Sequence, residues 1–409
     1  MKSFLFLMLF FSIQGCASMP SSDLNSYQSL EVHSFSEPDF NQIITKTDAE
    51  SDIVLLKYAL ERGYIASLYR TQYSPDFSGL LSLKSQLPQQ ITVRELADRI
   101  GDLFWKMEDG HLFVRNPKGG MISPLRDREE RKANVGINAL IDVCHKTNRA
   151  YAFREVLKRG HHIPVLSICS LPQPDDPSWT GFDEVLSSVS RHPYLVIDLR
   201  GLPGGSDTNG FKLAEKLLGA KIPDARGLKA EVMGRTPENI QLLLNQILGM
   251  QDRYTKKGEQ VPASWIEMQR KIEVLLKTSL QKGAPPYEIQ KSPQFVPPSP
   301  ENVAFKGKVY VLIDAKCGSS CESTLEALLW NPNVITVGEN TRGLIHFTEQ
   351  GYLTLPKSHI ALSIPTKYNE YEEFIEKIGH KPMLEVPSGQ DALEWLAVHM
   401  QDSDETRDF

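Results

Sequence analysis

The sequence predicts an α/β fold, and three features carry that prediction. Val309 to Ile313 is an apolar, β-branched run of the kind that fills a buried strand. The tight turn Lys316-Cys317-Gly318-Ser319-Ser320 follows, and Glu322 to Trp330 then sets Leu325, Leu328 and Leu329 at helical spacing. The same order occurs earlier: Tyr194 to Arg200 reads as a strand, Gly201-Leu202-Pro203-Gly204-Gly205 as a turn, and Phe211 to Leu218 as a helix. Ahead of both lies a helical region marked by two capping boxes, Thr47-x-x-Glu50 and Thr92-x-x-Glu95.

At the N-terminus, Lys2 precedes the apolar run Phe4 to Phe11, which is too short for a stable membrane span and reads as a secretion signal over residues 1–15. Ile13-Gln14-Gly15-Cys16 then resembles a bacterial lipobox, in which Cys16 is lipidated and becomes the mature N-terminus; an ordinary signal peptide with an incidental cysteine is the alternative. Ala17 rather than Asp follows the cysteine, the pattern of outer-membrane lipoproteins in Gram-negative cells. The expected location is therefore the bacterial cell envelope, with the lipid on Cys16 as the membrane contact. Residues 16–39 are polar and Ser-rich and read as a flexible tether.

Ile53, Leu56 and Leu60 form the apolar stripe of a first helix that Gly63 ends, and Leu96, Ile100, Leu103, Phe104 and Met107 that of a second, which runs into Asp109-Gly110-His111. Residues 40–112 are thus a helical region. Residues 113–192 read as a β-rich segment leading to the core, with strands near Val114, Ala150 to Phe153 and Ile163 to Ile168 and a helix over Phe182 to Val189; no carboxylate-gripping loop of the PDZ type is recognisable in it. The core spans 193–400, interrupted at about 224–300 by a helical insertion. There Thr236-Pro237 starts one helix and Ser264-x-x-Glu267 caps a second. This hairpin is expected as a lid beside the cleft, with a surface elaboration as the alternative. Tyr352 to Leu355 and Ile360 to Ile364 read as late strands, and Asp391 to Met400 as a closing helix.

The chain has 409 residues, 41% of them hydrophobic, and a net charge of −6. That leaves no basic footprint, so nucleic acid is not an expected partner. Of five cysteines, a lipidated Cys16 leaves Cys144, Cys169, Cys317 and Cys321. Cys144 and Cys169 are a candidate disulfide in an exported protein. Cys317 and Cys321 straddle the turn at Ser319 and read as two buried free thiols in preference to a bridge across it. His161-His162 has no companions at metal-ligand spacing, so neither a metal nor a cofactor is expected.

A serine between a strand and a helix stands clear of the sheet, beside unpaired N–H groups. Ser319 is placed as a nucleophile or, more plainly, as a helix cap. Gly-Ser-Ser-Cys-Glu followed by Val-Gly-Glu-Asn-Thr-Arg-Gly resembles the signature of the C-terminal processing (tail-specific) serine protease family. That resemblance implies Ser319 as nucleophile. Asp198-Leu199-Arg200 with Gly204-Gly205 resembles the family's oxyanion loop, so Gly204 or Gly205, with Ser320 N–H, would bind the oxyanion. The tail-specific branch keeps a general-base Lys just after Thr-x-Gly, where this chain has Leu344. Asp-Gly-His at 109–111 instead resembles the tricorn-type branch, to which the retinoid-binding protein of the eye is related. It implies His111 as general base. Glu376, in Glu-x-x-Gly-x-x-Pro, matches that branch's charge-relay carboxylate, although Met383 replaces the usual Asp after the Pro. The resemblance implies a ClpP/crotonase-like, crossover-type mixed sheet and a lipid-anchored serine endopeptidase acting on a peptide or protein substrate, with hydrolysis rising through the ordinary imidazole range of about 6–7. A non-catalytic lipoprotein that binds peptides or apolar ligands on the same fold is the alternative.

Overall fold

The structure, a computed structural model, describes residues 26–69, 75–107, 109–130, 144, 148–189 and 192–405. The signal segment, Cys16 and the expected tether as far as residue 25 lie outside the described residues. From Tyr27 the chain is packed, not a flexible tether: Tyr27–Leu30 is a short helix, Leu30 is buried in the core, and Asn245 Nδ2 donates to its carbonyl. Strand β1 (Ile43–Thr45) pairs antiparallel with β2 (Gln90–Thr92), and each strand runs directly into a helix. Thr92 caps Val93–Trp105 by accepting Glu95 N–H, as its capping box predicts. The first cap differs. It is Thr45, not Thr47, that accepts from Asp48 N, because β1 ends there and its hydroxyl also donates to the Asp48 carboxylate.

The chain then alternates between two six-stranded sheets. It enters one with β3 (Phe113–Arg115) and β4 (Met121–Ile122), and crosses to the other with β5 (Tyr151–Lys158), β6 (His161–Ile168) and β7 (Tyr194–Asp198). It returns with β8 (Leu228–Gly234) and β9 (Tyr287–Lys291), crosses again with β10 (Lys308–Ile313) and β11 (Val334–Gly338), returns with β12 (Phe347–Thr354) and β13 (Ala361–Tyr371), and closes with β14 (Leu384–Glu385). The sheet ordered β14-β11-β10-β7-β6-β5 is parallel except for the β5/β6 hairpin, so it is a mixed α/β sheet built by crossovers. The other sheet is antiparallel.

Strands β7 and β10 are apolar without a break because both faces are covered, as expected for central parallel strands. Leu195, Ile197, Val309 and Val311 face the helices Thr208–Leu218 and Ser320–Leu328. The alternate residues Val196, Tyr310 and Leu312 pack with Leu393 and Leu396 of the last helix. The antiparallel sheet buries Phe347, Leu362 and Ile364 against Leu56, Leu60, Ile100 and Phe104 of the N-terminal helices.

The helical hairpin joins β8 to β9. Thr236 caps Pro237–Lys256, and Leu242 from that helix fills the space at Gly63 and Gly351, so the hairpin's base is seated on the antiparallel layer. Ala263–Ser279 packs back through Ile272 on Ile240 and Leu244. Ser264 is not its cap: that hydroxyl donates to Asp175 Oδ1 at 3.0 Å, which ties the hairpin tip to the loop after β6.

Candidate active site

Two turns leave the same end of adjacent parallel strands, Gly201–Gly205 from β7 and Lys316–Ser320 from β10. The Asp314 carboxylate fastens them together, accepting from Gly201 N at 3.0 and 3.1 Å, Lys316 N at 3.0 Å and Cys317 N at 3.2 Å. Ser320 Oγ adds a second link by donating to Gly205 O at 2.6 Å. Cys317 and Cys321 are joined as a disulfide, not left as free thiols, because the turn and first helical residues bring their Cα atoms to 5.3 Å. Cys144 and Cys169 are also bridged.

Ser319 lies inside that five-residue loop at the head of Ser320–Leu328, half-buried, with φ +56° and ψ −125°. A side-chain-bearing residue adopts such a conformation only where its surroundings impose it. Gly204 (φ +114°) lies directly behind: a Cβ there would sit 2.8 Å from Ser319 Cβ and 3.2 Å from Ser320 N. Gly205 faces elsewhere, since its own Cβ would strike Leu171 O at 2.0 Å. Of the two glycines, Gly204 is the one backed against Ser319.

Glu322 holds the turn from below. Its fully buried carboxylate accepts from Ser319 N at 3.1 Å, Thr341 Oγ1 at 2.5 Å, Gly343 N at 2.8 Å and Leu344 N at 2.6 Å. Burial raises its pKa, against the pull of those donors. The glutamate that serves the sequence signature only as a marker is thus the tie between the nucleophile turn and the Thr341–Leu344 segment.

His111 arrives from the antiparallel layer. Lys377 Nζ donates to Trp105 O at 2.7 Å and also to Met107 O, closing the end of Val93–Trp105. Asp109 Oδ1 then accepts from His111 N at 2.7 Å and Leu112 N at 3.1 Å, and Asp109 Oδ2 from Tyr64 Oη at 2.6 Å. Burial brings the Asp109 carboxyl up to about 6. His111 is 3% exposed, and its Nδ1 is buried with no hydrogen-bond partner. Burial first, and then the charge of Arg342, push the imidazole down to about 4, with the Phe347 backbone acting the other way.

Leu344 joins the two halves. Its Cδ2 would lie 1.9 Å from a Cβ on Gly110 and its Cδ1 3.2 Å from one on Gly318. One leucine side chain therefore touches the residue before His111 and the residue before Ser319. Among the described residues no hydrogen bond joins the imidazole to Ser319 or to Glu376.

Glu376 is buried and accepts from Gly110 N at 3.0 Å, Ile345 N at 3.3 Å and His346 N at 3.0 Å. Its loop cannot shift easily, because Gly343 (φ +73°) and Gly379 (φ +81°) leave no room for a Cβ between it and Thr341–Gly343. His346 fixes it further: Nδ1 meets Asn369 O and Nε2 accepts from Ile375 N, each at 3.0 Å, so the ring is neutral with its proton on Nδ1. Burial, then the nearby Asp109, push the Glu376 carboxyl well above its ordinary value. Asp109, His111 and Glu376 each bring one oxygen or nitrogen to within 4.8 Å of the others. The structure thus gathers His111 with Glu376 and Ser319 with Gly204 and Ser320, with Leu344 between the two groups. Tyr64, Glu322, Asp314 and His346 escaped the sequence reading; the only local signal was the Asp two residues before His111.

The sequence profile of peptidase family S41 matches residues 166–386, more than half of the chain and inclusive of Gly204, Ser319 and Glu376. The chain belongs to peptidase family S41. No curated protein matches it significantly. Among solved structures, this S41 chain is similar to a Parabacteroides merdae ATCC 43184 protein described as a candidate peptidase (12% identity, 89% of this chain, all of that one, TM-score 0.54). It is also similar to mature CPAF (16% identity, 88% of this chain, 96% of that one, TM-score 0.53) and to mature CPAF complexed with lactacystin (16%, 88%, 98%, 0.53). At these identities the likeness concerns the fold, which is that of the S41 peptidases.

Proposed function

We propose that this chain is a serine endopeptidase of the tail-specific, tricorn-like kind, held to the bacterial outer membrane by a lipid on Cys16. The observation that supports the reading is that the Leu344 side chain touches both Gly110, the residue before His111, and Gly318, the residue before Ser319, whose own backbone conformation is forced. In the reaction, Ser319 Oγ attacks the substrate carbonyl carbon while the neutral imidazole of His111 takes the hydroxyl proton. Ser320 N–H and Gly204 N–H receive the oxyanion. The imidazolium returns its proton to the leaving amine as the C–N bond breaks. Water then repeats the sequence on the acyl-enzyme, releasing the new carboxyl end and restoring Ser319. Glu376 orients the imidazole and balances the charge that forms on it. Leu344 leaves no lysine to act as base, so His111 carries that role. That no hydrogen bond joins His111 to Ser319 suits a free enzyme, in which catalytic hydrogen bonds are often long until substrate closes the site.

The same missing hydrogen bond favours a second reading, a binding lipoprotein for peptides or apolar ligands with an unactivated serine. Fluorophosphonate labelling of the soluble chain starting after Cys16, with cleavage of a peptide library, separates the two. The peptidase reading expects labelling that Ser319→Ala abolishes, and a loss of turnover of at least about a thousandfold in His111→Ala. An unlabelled, inactive but folded chain establishes the binding protein. Loss of membrane fractionation in Cys16→Ser tests the anchor.

A further inference from the structure

We propose that Asp109, His111 and Glu376 form a binding site for a divalent transition-metal cation of the Zn²⁺ class, and that the bound ion silences the peptidase by occupying the imidazole. The inhibitory half rests on the reading of His111 as base; the site itself does not.

An ionised carboxylate offers about four acceptor positions, two per oxygen. Asp109 Oδ1 spends both on the His111 and Leu112 amides, while Oδ2 spends one on Tyr64. Glu376 Oε2 spends both on the Ile345 and His346 amides, and Oε1 spends one on Gly110. Each carboxylate therefore keeps one free position, on a buried oxygen whose other bonds fix its direction. A neutral imidazole has one unprotonated nitrogen in either tautomer, and His111 Nδ1 is buried with no partner at all. One carboxylate oxygen from each acid and one nitrogen of the imidazole lie within 4.8 Å of one another. Two carboxylate oxygens and an imidazole nitrogen match Zn²⁺, which takes such ligands at about 2.0–2.2 Å, so a contraction of roughly an ångström closes the set.

The hydrogen bonds around the cluster form its outer shell. Metal-binding carboxylates are themselves held by hydrogen bonds, and here Tyr64 and five backbone amides do this. The electrostatics agree: two buried carboxyls beside each other are both displaced upward, and a cation relieves the burial and the repulsion together. Occupancy excludes proton transfer from Ser319, because a neutral imidazole has one unprotonated nitrogen: with Nδ1 on the metal, Nε2 carries the ring proton and cannot accept another.

The test uses the soluble chain starting after Cys16 and carrying Ser319→Ala, so that binding is read without hydrolysis. Co²⁺ is titrated while its visible d–d bands are followed, and Zn²⁺ is titrated in competition with a chromophoric chelator. One equivalent is expected, bound at least tenfold more weakly after Asp109→Asn or Glu376→Gln. Should either fold poorly, His111→Gln, which leaves every buried amide acceptor in place, is expected to weaken binding in the same way. In the chain with Ser319 intact, Zn²⁺ should stop peptide cleavage and a chelator restore it. Failure to take up one equivalent, or uptake that none of the three substitutions weakens, overturns the site. Binding with undiminished hydrolysis overturns the inhibitory half. An inactive chain that still binds one equivalent sinks the peptidase reading and leaves the site standing.

Discussion

Glu322→Gln is the substitution whose outcome can be worked most fully from the structure. The carboxylate is fully buried and meets four donors. Oε1 accepts from Thr341 Oγ1 and Gly343 N, and Oε2 from Leu344 N and Ser319 N. A glutamine has one oxygen and one NH₂ to offer the same positions. It loses least with NH₂ at the Oε1 position, since the Thr341 hydroxyl can turn to accept whereas Gly343 N–H cannot. Ser319 and Leu344 then keep an acceptor, and one buried amide is orphaned. That costs about 1–3 kcal/mol, against a typical total stability of about 5–15 kcal/mol. The variant should therefore fold, with its unfolding free energy lowered by about 2 kcal/mol, seen as a lower denaturant midpoint at unchanged m. Because the weaker neutral acceptor still holds Ser319 N–H, kcat should fall by about ten- to a hundredfold with KM little changed, as for an interaction felt mainly at the reacting centre. Glu322→Ala orphans all four donors and should not accumulate as folded protein. Denaturation curves and steady-state cleavage of one peptide check both. A Glu322→Gln chain with wild-type stability and wild-type kcat would refute the reasoning, since it would mean that the buried carboxylate does not position the serine.

Gly204→Ala places a methyl 2.8 Å from Ser319 Cβ at φ +114°, so it should lower kcat by at least about a hundredfold, the scale of a lost oxyanion donor, while global unfolding shifts by only about 1–3 kcal/mol. Replacing both Cys317 and Cys321 by Ser opens a five-residue loop, and should cost about 2 kcal/mol on the chain-entropy account while reducing activity more than opening Cys144–Cys169 does; equal activity losses in the two double variants would contradict this. The pH dependence has two signs. His111, His346 and His380 are each lowered to about 4 from 6.5, so their neutral forms stabilise the fold above 6.5. That contribution, at most about 3 kcal/mol each, is lost as pH falls through about 4. Asp109, raised to about 6, acts oppositely and withdraws stability as pH rises through that value. Denaturation at a series of pH values should show a steep loss below pH 6. The acid limb of kcat/KM should sit near 4 instead of at the ordinary imidazole range the sequence suggests, and an inflection at 6.5 would show that His111 is not buried in the working enzyme.

The elements that the sequence shows most plainly are those whose signal is local. Thr92 and Thr236 cap their helices where the spacing puts them, and Phe182–Val189 has its predicted bounds. The alternation in Val309 to Ile313 is invisible as alternation because helices cover both faces of β10, yet the apolar run still reports a buried strand. What escapes is whatever depends on distant partners. Ser264 reads as a cap but bonds Asp175, from a loop about ninety residues earlier. The antiparallel sheet is assembled from six strands brought in on three separate visits of the chain, so no window of sequence displays it. The free-thiol reading of Cys317 and Cys321 fails for a related reason: their spacing permits a bridge only in the conformation that the turn happens to adopt. At the site, the resemblance supplies Ser319, Gly204 and Glu376 as names. Glu322, Asp314 and His346 matter through backbone amides, which carry no residue identity and leave no motif.

Gly110 and Glu376 are hydrogen-bonded across 266 residues of sequence, and this has a consequence in time. A chain emerges from synthesis N-terminus first, and closing so long a loop comes after local structure has formed. A growing chain can present His111, and later Ser319, yet it lacks the carboxylate and the loop that brace them until the last tenth of the protein has been made. On the proposed reading, hydrolytic competence therefore appears only at completion, and an interrupted product is inert toward the other nascent proteins beside it. The distance between its catalytic parts acts as a clock.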